Sequence, residues 1–71
     1  PNYKDAASSA ESVTLVLKQM VKKNRELLLK KYVDCKKVKE IALEMGASVK
    51  AVEANLFRAR QEFKTLWAAL D

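Results

Sequence analysis

The sequence has no histidine and one cysteine, Cys35, among its 71 residues. Metal sites built from Cys and His are therefore excluded, and so is acid–base catalysis by His. A single Cys cannot form an internal disulfide, which fits a reducing compartment such as the cytoplasm. Because Cys35 has no His partner, we interpret it as a structural residue near a helix boundary. We accordingly expect no metal, no cofactor and no enzymatic activity.

Glycine and proline occur once each, and no apolar run approaches the roughly 20 residues that a membrane span needs. So few turn-forming residues exclude β-sandwiches and barrels, which need a turn about every 8–12 residues. No signal peptide is recognisable, and we expect no membrane partner. Apolar residues make up 49% of the chain, and helix formers dominate it. These features predict a single all-α domain with one small core.

Acidic residues are fewer than basic ones: 9 Asp and Glu oppose 14 Lys and Arg, which gives a net charge of +5. A basic domain of this size favours an anionic partner, and nucleic acid is the first candidate. The competing interpretation is a basic surface that only interacts with solvent.

The hydrophobic spacing predicts a flexible N-terminal segment over residues 1–8 and a helical domain over residues 9–71. Ser8 and Glu11 have the spacing of a capping box, which predicts the start of the first helix. Asn24 is the predicted N-cap of the second helix. We expect one core cluster, formed by Val13, Val16, Leu17, Met20, Leu28, Tyr32, Ile41, Met45, Val52, Leu56 and Phe63.

The second half of the chain predicts two helices that meet at Gly46. Val38, Ile41 and Met45 give the third helix its apolar face, and Gly46 follows where a left-handed stop is favoured. Ser48 is the predicted N-cap of a long fourth helix over residues 49–69. The predicted architecture is a small bundle of four helices with a helix-turn-helix and a long C-terminal recognition helix.

The spacing of Ile41, Ala42, Gly46 and Val52 is typical of a helix-turn-helix. Ala42 must be small because the next helix crosses closely over it, and Gly46 reverses the chain with a positive φ. The second helix of such a pair can present its first turns to base edges in a major groove about 12 Å wide. The alternative is an ordinary corner between two helices without a role in DNA binding.

Residues 10–70 resemble region 4 of bacterial sigma factors and are most similar to the extracytoplasmic-function type. The matching pieces are LLLKKYVD (27–34), VKEIALEMGAS (38–48) and VEANLFRARQEF (52–63). Glu40-Ile41-Ala42 and Arg58-Ala59-Arg60 match the family pattern directly. The Arg-Ala-Arg triplet discriminates best, because LuxR-type domains share the first half of the pattern and normally lack this triplet.

The resemblance implies a DNA-binding domain that recognises the upstream promoter element while docked on RNA polymerase core, with an anti-sigma factor as a further partner. It also implies that the promoter-melting domain of a sigma factor lies outside these residues, as expected of a piece of a longer protein. Carried over residue by residue, it predicts a DNA-binding set of Lys31, Lys37, Lys39, Ser48, Lys50, Glu53, Ala54, Asn55, Phe57 and Arg58.

Two members of this set depart from the family pattern. Glu53 stands where Lys or Arg is usual, and Asn55 stands where Arg is usual. Glu53 could accept a hydrogen bond from a cytosine amino group, and Asn55 could pair with adenine. An unpaired Glu near phosphates would instead weaken binding. The departures leave the predicted fold unchanged but affect the expected sequence preference and affinity.

Two other functions stay open at the sequence level. One is a LuxR-type or other helix-turn-helix regulator, which should dimerise through its last helix. The other is a protein-binding helical module that has lost its DNA face. Leu66, Trp67 and Leu70 extend past the length that the core needs. They either pack against the first helix or form an apolar docking surface near the first helix and the C-terminus.

Overall fold

The computed structural model describes residues 6–70, with side chains from Ala10 onward. Within these residues the fold is helical and contains no strand, and it confirms the predicted all-α bundle of four helices. The elements are α1 (Ala6–Gln19), α2 (Lys22–Leu28), a π-helical segment (Leu29–Val33), α3 (Val38–Met45) and α4 (Val49–Ala68). Helix α4 packs against α1, α2 and α3 and therefore organises the domain.

The N-terminal boundary differs from the sequence prediction. Helix α1 begins at Ala6, so Ser8 lies inside the helix rather than at its N-cap. Residues 1–5 of the segment expected to be flexible lie outside the described residues. That expectation stays a prediction.

The start of α2 corrects a second prediction, because Val21 and not Asn24 occupies the N-cap position. The Asn24 side chain instead donates a hydrogen bond to Oε1 of Glu62 on α4 at 2.8 Å. Oε2 of the same carboxylate accepts a hydrogen bond from the Val21 backbone N–H at 3.2 Å. A distant Glu62 thus satisfies a helix-end N–H group that a local cap normally satisfies.

Arg25 completes the corner between α1 and α2. Its Nη1 donates to the backbone oxygens of Leu17 at 3.1 Å and Met20 at 3.5 Å. A cation at the C-terminal end of α1 satisfies free carbonyl groups and interacts favourably with the helix dipole. Arg25 therefore holds α1 and α2 together.

After Leu28 the helix widens into a π-helical turn, as shown by the Asp34 N–H, which donates to the Leu29 oxygen at 2.9 Å. Cys35 then reverses the chain at φ 56°. The wider turn changes which side chains face the core. Tyr32, predicted to lie in the core, is 56% exposed.

The core cluster contains nine buried apolar residues contributed by all four helices. They are Val16, Met20, Leu27, Leu28, Ile41, Ala42, Val52, Leu56 and Ala59. Leu17 and Phe63 pack against this cluster and are partly buried. The predictions that Val13, Tyr32 and Met45 belong to the core are wrong, because all three are exposed.

The turn between α3 and α4 has the geometry that the sequence predicts. Gly46 adopts the left-handed conformation at φ 65°, and the Ala47 N–H donates to the Ala42 oxygen at 2.9 Å. Ala42 is buried where α4 crosses α3, and Ile41 and Val52 are fully buried beside it. The helix-turn-helix packing is therefore held by the predicted residues.

Helix α4 begins at the predicted N-cap. The Ser48 Oγ accepts a hydrogen bond from the Ala51 N–H at 3.0 Å. The helix then runs for 20 residues, one residue short of the predicted end at Ala69. This length is about 30 Å at 1.5 Å per residue. Its C-terminal part reaches past the helix-turn-helix, and Phe63 and Lys64 there line a groove together with Val13 and Leu17 of α1.

Candidate nucleic-acid interface

The buried stripe and the exposed face of α4 lie on opposite sides of the helix. Val52, Leu56 and Ala59 are buried against the other helices. Because successive residues of a helix are about 100° apart, Lys50 lies on the side of α4 opposite this stripe. We call five exposed residues on that side the reading face: Lys50, Glu53, Ala54, Phe57 and Arg58.

The reading face has a mixed chemistry that suits base edges. Phe57 is 58% exposed, which leaves an aromatic ring in water beside the small side chain of Ala54. Apolar groups of this kind can contact a thymine methyl group, while the carboxylate of Glu53 can accept a hydrogen bond from a cytosine amino group. Lys50 and Arg58 add positive charge at either end of the face.

Asn55 lies at the edge of this face and is half-buried. Its Oδ1 accepts a hydrogen bond from Nη1 of Arg58 at 2.9 Å. The two side chains are three residues apart, so they lie on neighbouring positions of the helix surface. The structure thus joins two members of the predicted DNA-binding set to each other.

The remaining predicted residues lie on other elements. Lys37 and Lys39 are exposed at the N-terminal end of α3, and Lys31 is half-buried in the π-helical segment. Ser48 is exposed at the N-terminus of α4, where its oxygen is engaged by the Ala51 N–H. The hydroxyl hydrogen of Ser48 is not used in that bond and can donate to a phosphate oxygen.

Glu44 on α3 engages two lysines that are not members of the predicted DNA-binding set. Its carboxylate pairs with Lys30 at 3.1 Å and with Lys36. Hydrogen bonds from Lys36 and Lys30 lower the pKa of Glu44, and its hydrogen bond and charge raise the pKa of Lys36. Lys30 and Lys36 therefore tie the segment after α2 to α3, a pairing that their spacing in the amino-acid sequence did not reveal.

A second surface, the apolar groove, lies between α1, the π-helical segment and α4. Its volume is about 360 Å³. It is lined by Val13, Leu17, Leu28, Leu29, Tyr32, Val33, Arg60, Phe63 and Lys64. The surface of the groove is almost wholly apolar, so Arg60 and Lys64 line it with the aliphatic parts of their side chains. Nη1 of Arg60 donates to the Tyr32 hydroxyl at 3.2 Å.

The C-terminal end of α4 continues this apolar character. The rings of Phe63 and Trp67 stack with centroids 5.8 Å apart and planes 17° from parallel. Trp67 remains 41% exposed, whereas Leu66 packs against the core. The part of α4 beyond the reading face therefore offers apolar surface near α1.

Two other kinds of site are absent from the part of the chain that the structure describes. Residues 6–70 contain no group of three or more Cys, Asp or Glu residues that could hold a metal ion. None of the helices in this range has the length and apolar character needed to cross a membrane.

Comparison with known proteins gives one family. The family model described as Sigma-70, region 4 matches residues 10–63, which are 54 of the 71 residues and include the whole helix-turn-helix. No curated protein and no solved structure matches the chain. This family is a family of DNA-binding regulatory domains and not of enzymes. The chain belongs to the sigma-70 region 4 family.

Proposed function

We propose that this domain recognises the upstream promoter element while it is docked on RNA polymerase core, and so helps to direct transcription initiation. The observation that carries the proposal is the reading face of α4, which is exposed opposite the buried stripe of the same helix. A helix held in this way can enter the major groove without unpacking the core. The extracytoplasmic-function subtype remains part of the proposal.

In the proposed complex, Glu53, Ala54, Phe57 and Arg58 approach bases, with Asn55 at their edge. Lys50 at the start of α4 and Ser48 beside it contact a phosphate. Phosphate contacts fix the register of a domain on the duplex, and base contacts specify the sequence.

Lysines outside α4 add further phosphate contacts in this proposal. They are Lys31, Lys37 and Lys39, which have no ion-pair partner among the described residues. Lys30 and Lys36 are excluded from this role because Glu44 engages both. We expect modest affinity that falls steeply with salt, because each neutralised phosphate adds about 0.9 to the salt slope.

The apolar groove is the proposed docking site for the polymerase. Its apolar floor and the cations of Arg60 and Lys64 suit an amphipathic helix that carries acidic residues. An anti-sigma factor that covers the same groove would compete with the polymerase.

The docking site is tested with two substitutions on α1. Val13→Asp, in the groove, should weaken capture by polymerase core, whereas Leu15→Asp, on the same helix and outside the groove, should not.

DNA binding is tested by selecting duplexes from a randomised pool and titrating them by fluorescence anisotropy, with and without polymerase core. Arg58→Ala should weaken binding of the selected duplex by about 10-fold, the value of one good base contact. Lys18→Ala removes the same charge from the exposed surface of α1 and should change binding less than about 2-fold. A chain that prefers no duplex under either condition would contradict the proposal.

A protein-binding module that has lost its DNA face is the second candidate function. The exposed carboxylate of Glu53 on the reading face favours it, because an unpaired anion repels phosphates. This function requires that Arg58→Ala leaves activity unchanged while Trp67→Ala abolishes partner binding. The two substitutions therefore separate the two candidates.

A further inference from the structure

Asn55 connects the reading face of α4 to the core side of the helix. It is half-buried, whereas its hydrogen-bond partner Arg58 is exposed. At about 100° per residue, Asn55 lies about 40° from buried Ala59 and about 140° from Lys50. A partly buried side chain has fewer accessible rotamers than a long exposed one. Asn55 is therefore the fixed member of the pair, and Arg58 is the member that it restrains.

We propose that Asn55 is a positioning residue that orients the Arg58 guanidinium toward a guanine of the bound duplex. This inference rests on the DNA-binding function proposed above. The guanidinium has five N–H donors in a planar fork, and the bond to Asn55 uses one of those on Nη1. The remaining donors include two that can bind the O6 and N7 atoms of guanine together.

The energetic advantage of this arrangement is preorganisation. A free Arg side chain loses much rotamer freedom when it binds, and an Arg that is already held loses less. Asn55 thus raises affinity and base preference through Arg58 without touching the duplex itself.

A direct contact between Asn55 and adenine is the competing arrangement. It requires Oδ1 and Nδ2 to face the base together. In the structure Oδ1 is engaged by Arg58, and the side chain lies at the edge of the reading face. These two observations favour the positioning role.

The experiment uses the duplex selected by the unsubstituted chain. Each guanine is replaced in turn by 7-deazaguanine and each adenine by 7-deazaadenine, both of which lack the N7 acceptor. The resulting ratio of affinities gives the preference for each base. The preference is measured for the unsubstituted chain, Asn55→Ala, Arg58→Ala, the double variant and Asn55→Asp. Circular dichroism verifies that each variant keeps its helical content.

We expect Asn55→Ala to lower the guanine preference by about 3- to 10-fold, part of the discrimination of one bidentate contact. In the Arg58→Ala background, the same substitution should change binding by less than about 2-fold, because its effect passes through Arg58. Asn55→Asp keeps an acceptor for Arg58 and should retain the guanine preference. Its added negative charge should weaken all duplexes alike.

Three results would overturn the inference. The first is an equal effect of Asn55→Ala with and without Arg58, and the second is an unchanged guanine preference in Asn55→Ala. The third is loss of an adenine preference in both Asn55→Ala and Asn55→Asp, since Asp lacks the amide donor that adenine N7 requires. If Arg58→Ala leaves DNA binding unchanged, the proposed function itself fails, which is a distinguishable outcome.

Discussion

Two corners of this domain, the one between α1 and α2 and the one between α3 and α4, are built in opposite ways. The turn between α3 and α4 is made by neighbours in the chain, with Gly46 reversing the backbone and Ser48 capping the next helix. The corner between α1 and α2 depends on Glu62, which lies 41 residues from Val21 in sequence. The comparison indicates that the turn of the helix-turn-helix is encoded locally, whereas the other corner combines local contacts of Arg25 with long-range contacts to Glu62 on α4.

The largest expected effect on stability comes from truncating a fully buried side chain of the core. Leu27 is 1% exposed, and Leu27→Ala should destabilise the domain by about 2–5 kcal/mol through lost burial and a residual cavity. Leu43→Ala is the matched control, because Leu43 is 84% exposed and should change stability by less than about 0.5 kcal/mol. Urea unfolding measures both, and equal effects would contradict the assignment of the core.

The next largest effect should come from a substitution that disrupts only the corner between α1 and α2. Glu62→Ala removes the acceptor of both the Val21 N–H and the Asn24 side chain and should cost about 1–2 kcal/mol. Hydrogen exchange should increase in the first turn of α2 and remain unchanged in the turn at Gly46. Glu53→Ala, an exposed carboxylate on the same helix, is the control. Faster exchange at Gly46 as well would show that the two corners are not independent.

Two substitutions compare the left-handed residues at the turns. Gly46→Ala should destabilise the domain by about 1 kcal/mol, since a Cβ is disfavoured at φ 65° even though the surrounding space is open. Cys35→Gly should stabilise it by about 0.5 kcal/mol, because relief at φ 56° exceeds the added entropy of Gly in the unfolded chain. Thermal unfolding measures both, and effects of the same sign would refute the comparison.

The smallest effect concerns the ion pairs of Glu44. Because its pKa is lowered in the folded state, its contribution to stability is present above the ordinary Glu pKa. That contribution is lost as the pH falls through the lowered value. Glu44→Gln should therefore flatten part of the acid side of the stability profile, measured by urea unfolding at several pH values. An unchanged acid slope would show that the pairs with Lys30 and Lys36 do not contribute.

Local signals made the second half of the domain predictable. Gly46, Ser48 and the stripe from Val52 to Ala59 act on their own helices, so spacing alone locates the turn and the start of α4. The exposure of Lys50 and Arg58 follows from the same periodicity, because the buried stripe defines the opposite face.

The first half was less predictable because it depends on side-chain contacts between elements and on a local change of helix type. The sequence predicts Asn24 as a helix cap, whereas its side chain binds Glu62 on α4. Arg25 is of a residue type usually found on the surface, whereas its guanidinium binds a carbonyl group at the end of α1. The π-helical turn after Leu28 shifts Tyr32 out of the core, and no periodicity of 3.6 residues anticipates that shift.

The most direct test of the central claim is an NMR titration of the labelled chain with its selected duplex. The account predicts that the amide signals of residues 48–58 shift with salt-sensitive affinity, while the signals of Leu17 and Phe63 in the apolar groove do not. Shifts confined to the groove, with the signals of α4 from Lys50 to Arg58 unchanged, would contradict it.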